Sequence, residues 1–327
     1  MSGWSVNTIP VEAESVELAT APRLLIGSPA SPCVMTDIGV LSYNVRYANR
    51  GDHHDAWHER RDAVARLVRF HRPDVAAFQE PVAKQRRDLR DRLPGYEFVG
   101  RGREANGDGE GCPIAVDDDR WELVDDGTFW LSATPAEPST DWGAAHPRIA
   151  TWARIAAADG PAELLVVNTH FDHVSARARR ESARLLRTRL PTLAREDTES
   201  GGERVPVVLV GDLNCTPGSD PHRILLGDDP GTCAGDSAED TRDRAGGAAD
   251  SATDDRLTLR DAAAVADLRH GPRTSLTDFA RLIDGRRIDH ALVSAELAVE
   301  AFATLADRDD RGRYPSDHLP ILTRASL

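Results

Sequence analysis

Two stretches of this chain, "ELLVVNTH" at 163–170 and "VPVVLVGD" at 205–212, are apolar over a full strand length without the alternation of a half-exposed strand. A strand wetted on one face reads apolar-polar-apolar, so an unbroken apolar run requires cover on both faces of its sheet. Between the two runs Ala183, Leu186, Leu190 and Leu193 recur at helical spacing, which supplies one amphipathic helix as cover. Strands buried on both sides and helices with one apolar face define an α/β protein.

The rest of the chain repeats the theme. "IGVLSYNV" predicts a strand ending at Asn44, and "WHERRDAVARLVRFH" predicts a helix with Val64, Leu67, Val68 and His71 on one face and arginines on the other. "PDVAAFQE" is a short buried strand closed by Glu80, followed by a helix near 82–93 with interleaved Arg and Asp. Further strands are expected at about 95–101, 113–131 and 148–158. A short helix is expected near 258–267, then the strand "RIDHALVS", another near 297–305, and a closing strand after "YPSDHLPI". Residues 1–36 show no steady period and read as a disordered leader, translated from a start upstream of Met35, or as a regulatory arm. The domain proper is expected at 37–327, interrupted at 227–256 by nine acids, three arginines and no large apolar residue. Such a segment buries too little surface to offset its ordering entropy and reads as a mobile surface insertion.

Composition narrows the setting. The net charge is -14, and Lys84 is the single lysine among 40 basic residues. Carboxylate-rich, lysine-poor surfaces suit a salt-rich cytoplasm, where self-repulsion is screened; a G+C-rich genome produces a similar bias. Four separated cysteines, Cys33, Cys112, Cys215 and Cys233, form no CxxC pair, which fits a reducing cytoplasm and points to neither a zinc knuckle nor a disulfide framework. No apolar run reaches the roughly 20 residues of a membrane helix, and no signal-peptide pattern is present, so no membrane partner is expected. An acidic chain repels phosphates, so a polyanionic substrate needs a local positive charge such as a metal.

The strand ends carry the chemistry. Asn44, Glu80, Asn168 with His170, Asp212 with Asn214, Asp289, and Asp317 with His318 stand where six separate segments leave their apolar runs. Sites in α/β sheets form where strand ends converge. Carboxylate and amide oxygens suit a hard cation, Mg²⁺ or Mn²⁺, rather than zinc. With a carboxylate to orient water and a histidine to meet a phosphoryl group, this is a set for metal-assisted phosphoester hydrolysis. Each residue has an ordinary structural reading: an edge carboxylate for Glu80, a turn former for Asn44, a satisfied core histidine for His170, a helix-capping aspartate for Asp212. All of them coinciding at six strand ends argues for one site.

In this order and spacing, "SYNVRY", "DVAAFQE", "VNTHFDH", "VLVGDLN", "RIDHALVS" and "YPSDHLPI" resemble the motifs of the endonuclease/exonuclease/phosphatase superfamily, over residues 37–327. The resemblance implies a DNase I-like four-layer α/β sandwich, two mixed β-sheets face to face with helices outside. It implies Glu80 as direct metal ligand with Asn44 beside it and Asp317 as a second metal-side carboxylate. It further implies Asp212 as the residue that activates water, Asn214 as a positioning amide, His170 as a phosphate-binding histidine, and Asp289 with His318 as the pair at the scissile phosphate. "HPRIATWARI" and the segment after "NTHFDH" are similar to a prokaryotic branch near the nocturnin-like deadenylases, which adds Arg148, Asp172 and His173 as rim or substrate contacts. The chain departs from the pattern at His290, where an aromatic is usual, in "PIAVDDDRW", which lacks a tyrosine, and near Thr277, where the branch often has a histidine.

The expected activity is hydrolysis of a phosphodiester by activated water, as a nuclease working from a 3' end on RNA or DNA, with single-stranded nucleic acid as partner. The alternatives are a phosphatase or phosphodiesterase on a small molecule, such as an inositol phosphate or phospholipid headgroup, and an inactive binding module with the same fold. His53, His54 and His58 in "GDHHDAW" read as solvent-exposed or substrate-loop residues rather than metal ligands, and Cys215 as packing rather than a nucleophile. The arginine-rich helices read as solvated faces, because acids interleave with the basic residues.

Overall fold

The computed structural model describes residues 36–195, 204–229 and 257–327. The leader expected before residue 36 and the acidic insertion from residue 230 onward lie outside the described residues. In chain order the elements are β1 (Asp37–Asn44), a 3-10 turn (Arg50–Asp55), α1 (Trp57–His71), β2 (Val75–Gln79), α2 (Ala83–Arg92), β3 (Tyr96–Val99), β4 (Ile114–Asp117), β5 (Trp121–Trp130), β6 (Ile149–Ala157) and β7 (Glu163–His170). They continue as α3 (Ala176–Leu193), β8 (Val207–Asp212), α4 (Asp220–Leu226), β9 (Leu259–Asp261), α5 (Ala262–Val265), β10 (Leu268–His270), β11 (Asp289–Ser294), β12 (Ala298–Thr304) and β13 (Ile321–Ser326).

The strands form two mixed sheets, in the orders β10-β12-β13-β1-β2-β4-β3 and β5-β6-β7-β8-β11-β9. Side chains alternate across a strand, and both faces here are apolar. Val40, Val75 and Ala77 of the first sheet and Leu164, Val166, Val208 and Val210 of the second fill one core between the sheets. The residues between them turn outward: Leu41, Tyr43, Ala76 and Phe78 pack against Val64, Leu67 and Val68 of α1 and Leu89 of α2. Leu165, Val167, Val207 and Leu209 pack against Ala183, Leu186 and Leu190 of α3 and Ile224 and Leu225 of α4. Helices, sheet, sheet and helices make the four-layer α/β sandwich, and the unbroken apolar runs are its doubly covered central strands.

Several details differ from expectation. The apolar stretch at 113–131 is two strands in different sheets, β4 and β5. The acids between them bend the chain, with the Asp119 N–H donating to Asp117 Oδ1 at 3.1 Å. The helix expected near 258–267 is shorter than expected, because its first residues form β9, which pairs with β11. Only four residues of helix follow, begun by Asp261, whose Oδ1 accepts the Ala263 N–H at 3.0 Å. Helix α4 was not foreseen; at seven residues, with Pro in its first turn and Gly227 closing it at φ 98°, it is too short to show a period. Arg60 on α1 does not face water. It is fully buried and donates to the carbonyls of Asp55, Val45, Arg46 and Pro315, tying together the loops on either side of the β1 end.

Candidate active site

The site is the polar continuation of the core between the sheets. Two residues beyond the last inward-facing apolar side chain of its strand come Gln79 on β2, Asn168 and then His170 on β7, and Asp212 on β8; on β1 the inward positions after Val40 are Ser42 and then Asn44. Asp289 opens β11, which runs the opposite way, and so arrives at the same end. Register fixes the neighbours: Asp212 lies beside His170 on one flank and Asp289 on the other, and Asn44 lies beside Gln79. Asn168 stays in the interior and ties the sheets, its Oδ1 accepting from Gln79 Nε2 at 2.7 Å and its Nδ2 donating to the carbonyls of Phe78 and Pro113.

The turn after β8 shows why "GDLN" has those residues. A Cβ at Gly211 would sit 1.9 Å from the Thr169 carbonyl oxygen, so only glycine lets β7 and β8 close together at this point. Asn214 adopts a left-handed backbone at φ 48°, which asparagine tolerates. Its N–H donates to Asp212 Oδ1 at 2.9 Å, and its Nδ2 lies 3.0 Å from His170 Nε2 and from the Phe171 carbonyl oxygen. Glu80, leaving β2, is also left-handed at φ 72°. That conformation is costly for a glutamate, and such strain concentrates at functional sites.

Asp212 is the centre of the arrangement. Its Oδ2 accepts from Asn44 Nδ2 at 3.1 Å, and lies 3.4 Å from His170 Nε2 and 3.8 Å from His318 Nε2. The same Asn44 nitrogen donates to Glu80 Oε1 at 2.9 Å, so one amide joins the two carboxylates, while the Asn44 oxygen accepts the Arg46 N–H. Glu80 Oε2 accepts the Tyr47 N–H at 2.8 Å. On the other side, His318 Nδ1 is 2.9 Å from Asp289 Oδ2. Asp317 pairs with Arg46 at 3.0 Å.

Burial sets the protonation states. It raises the Asp212 carboxyl to about 7, with His318 opposing and Asp289 reinforcing the rise, and raises the Asp317 carboxyl as well. Burial works against charge on His318, but Asp289 and then Asp212 overcome it and hold the imidazolium well above the usual histidine range. His170 is pushed well below that range by burial and then by Arg148 and His318, so it is neutral. Glu80, His170 and Asp212 offer ligand atoms within 4.8 Å of one another. This oxygen-rich set of desolvated carboxylates fits a hard divalent cation.

The cleft above these groups holds about 400 Å³ and is walled by polar and ionisable side chains. Arg148 and His173 reach it, with Arg148 Nη2 3.0 Å from His173 Nδ1. Asp172 lies behind them: its carboxylate accepts the N–H groups of Ala145, Val174 and Ser175, bracing the rim. Arg46, Tyr47, Glu110 and His146 line the cleft without having been singled out from sequence. Arg46 and Tyr47 follow Asn44 within "SYNVRY" and His146 precedes Arg148 within "HPRIATWARI", whereas Glu110 comes from an irregular loop with no periodic signal. His53, His54 and His58 are exposed. Cys215 is buried in the α3-side core, and burial raises its thiol. Two departures from the family pattern act as braces: His290 Nε2 donates to the Cys215 carbonyl at 2.8 Å, and the Thr277 N–H donates to the Asp317 carbonyl at 2.8 Å.

Residues 41–318 match the Endonuclease/Exonuclease/phosphatase family. Among solved structures, an endonuclease/exonuclease/phosphatase family protein of Bacteroides thetaiotaomicron is 30% identical, covering 90% of this chain and 98% of its own, with a TM-score of 0.75. A mannosyl-6-phosphatase of the same organism is 29% identical, covering 89% and 100%, with a TM-score of 0.75. D. rerio TDP2 complexed with single strand DNA product is 18% identical, covering 89% and 100%, with a TM-score of 0.58, and shows a shared fold. No curated protein matches. With the fold, the strand-end groups and the family match in agreement, the chain belongs to the endonuclease/exonuclease/phosphatase family, a divalent-metal-dependent family of phosphoester hydrolases.

Proposed function

We propose that this protein is a Mg²⁺- or Mn²⁺-dependent phosphatase acting on a small, hydroxyl-rich phosphate monoester, in a salt-rich cytoplasm. The observation that carries this reading is the lining of the cleft. Its roughly 400 Å³ is bounded by Glu110, Arg148, His146 and His173 opposite the carboxylates, with Tyr47 as the single phenol and no aliphatic wall. Hydroxyl groups find acceptors and donors there, and neither Trp nor Phe is among the lining residues to serve as a broad platform for a nucleobase. The likeness to a mannosyl-6-phosphatase supports the same choice. We prefer this reading to the 3'-end nuclease expected from sequence alone.

In this reading Glu80, of the Glu80, His170 and Asp212 group, presents an oxygen donor for the cation, Asn44 orients it, and Asp317, paired with Arg46 at 3.0 Å, is the further metal-side carboxylate. Asn44 and Asp317 were both expected at the metal from sequence. When bound, the cation polarises a phosphoryl oxygen and neutralises charge that develops on it. Asp212 orients the attacking water and takes its proton; a carboxyl near neutrality is matched to that task. His170, Asn214 and the His318 imidazolium hold the non-bridging oxygens, and Asp289 keeps His318 charged and aimed. The water oxygen bonds to phosphorus, the phosphorus–oxygen ester bond breaks, and the leaving alkoxide takes a proton from solvent water, whose hydroxide takes back the proton held on Asp212.

Phosphate release from hexose 6-phosphates, inositol phosphates and phospholipid headgroups, measured beside shortening of single-stranded RNA and DNA in molar KCl, tests the reading. Turnover of a hexose phosphate with the oligonucleotides intact is the expected result. Strand shortening without release from any small phosphate would return the nuclease.

A further inference from the structure

A second cavity, of about 430 Å³, shares the Asn214 wall with the catalytic cleft. It is walled by the start of α3 (Ala176, Arg179, Arg180), by the turn after β8 (Thr216, Ser219), and by Arg286 on the way into β11. Three arginines face one carboxylate, Asp220. That carboxylate neutralises little: it lies 3.9 Å from Arg180, and the two side chains are 37% and 49% exposed, a separation and exposure at which an ion pair is weak. Arg179 donates to a backbone carbonyl, that of Asp172, at 2.8 Å and pairs with no carboxylate among the described residues. The Arg286 side chain has neither a hydrogen bond nor an ion pair among them. In a chain of net charge -14, this places a concentrated positive field next to the reaction centre. The positive end of the α3 dipole, at Ala176, adds to it. Planar guanidinium groups with free donors match the oxygens of a phosphate.

We propose that this cavity is a subsite for a second phosphate of the substrate, so that the preferred substrate is a small bisphosphorylated molecule. This rests on the phosphatase reading above. The arginines of this helix, expected from sequence on a solvated face, also meet the substrate in this proposal.

The test compares kcat/KM for a hexose 6-phosphate and the corresponding 1,6-bisphosphate, at one salt concentration with Mg²⁺, in the wild type and in the Arg180→Ala/Arg286→Ala double variant. The wild type is expected to prefer the bisphosphate by on the order of ten-fold through KM, and the double variant to lose that preference while hydrolysing the monophosphate unchanged. Equal efficiency in the wild type, or a preference surviving in the variant, would overturn the proposal. Preference for a 5'-phosphorylated dinucleotide over both sugars would overturn its small-molecule form. If neither sugar is turned over, the phosphatase reading has failed on its own. Calorimetric titration of the bisphosphate then decides the subsite, with binding to the wild type and not to the variant supporting it and equal or absent binding sinking it.

Discussion

At the scale of single residues, the proposed function divides the cleft into a half that does chemistry and a half that recognises. Glu110 belongs to the second: its carboxylate accepts from Arg103 at 2.7 Å and lies 3.9 Å from Arg148, and burial raises its carboxyl. A group that binds substrate and transition state equally changes KM and not kcat. Glu110→Gln should therefore raise KM for a hexose phosphate about ten-fold with kcat nearly unchanged, which steady-state kinetics on the variant would show; a fall in kcat alone would put Glu110 among the reacting groups. Most of the polar cluster was legible in the sequence, because His170 and Asp212 end apolar strands and Asp289 opens one, where polarity is conspicuous. Glu110 was not, since a loop residue acquires its place only from tertiary packing.

At the scale of elements, the close approach of β7 and β8 and the braces under the turn after β8 position Asp212 and Asn214. Gly211 sits at φ 147° with the Thr169 carbonyl in the space a Cβ would take. Gly211→Ala should cost about 3 kcal/mol or more, seen as a lower denaturation midpoint together with lost activity; a midpoint equal to wild type would mean the strands separate without penalty. His290 holds the Cys215 carbonyl, and burial first, then Arg287 and His222, depress it to about 3. In the unfolded chain it takes a proton near pH 6.5. Below that pH the unfolded state binds the proton and the folded state does not, so stability present above about 6.5 is lost as pH falls toward 3, at up to about 1.4 kcal/mol per unit. Measured as the difference between wild type and His290→Phe, in which Asp212 and His170 cancel, unfolding at pH 7 and pH 4.5 should show the wild type losing more. Parallel losses would remove His290 from the account. The β4–β5 break and α4 escaped the sequence reading because a strand ended by an acidic turn and a seven-residue helix are too short for a period to show.

At the scale of the whole molecule, the charge of -14 makes the folded state self-repelling at low salt. Screening lengths fall from about 10 Å at 0.1 M to about 3 Å at 1 M. The melting temperature should therefore climb steadily between those KCl concentrations, and a flat profile would assign the arginine-rich, acidic composition to codon usage alone. Among the described residues no helix is long and apolar enough to cross a membrane. The architecture was legible as a whole because doubly covered strands and one-faced helices leave few ways to assemble; the substrate was not, because the recognising wall is drawn from loops on both sheets. The most direct test of the account is phosphate release from a hexose 6-phosphate by the wild type and Asp212→Asn, each with Mg²⁺ and with EDTA. Wild-type turnover that EDTA abolishes, and that Asp212→Asn lowers about a thousand-fold with KM retained, is the predicted result. Turnover that persists in EDTA, or an Asp212→Asn enzyme as fast as wild type, would contradict it.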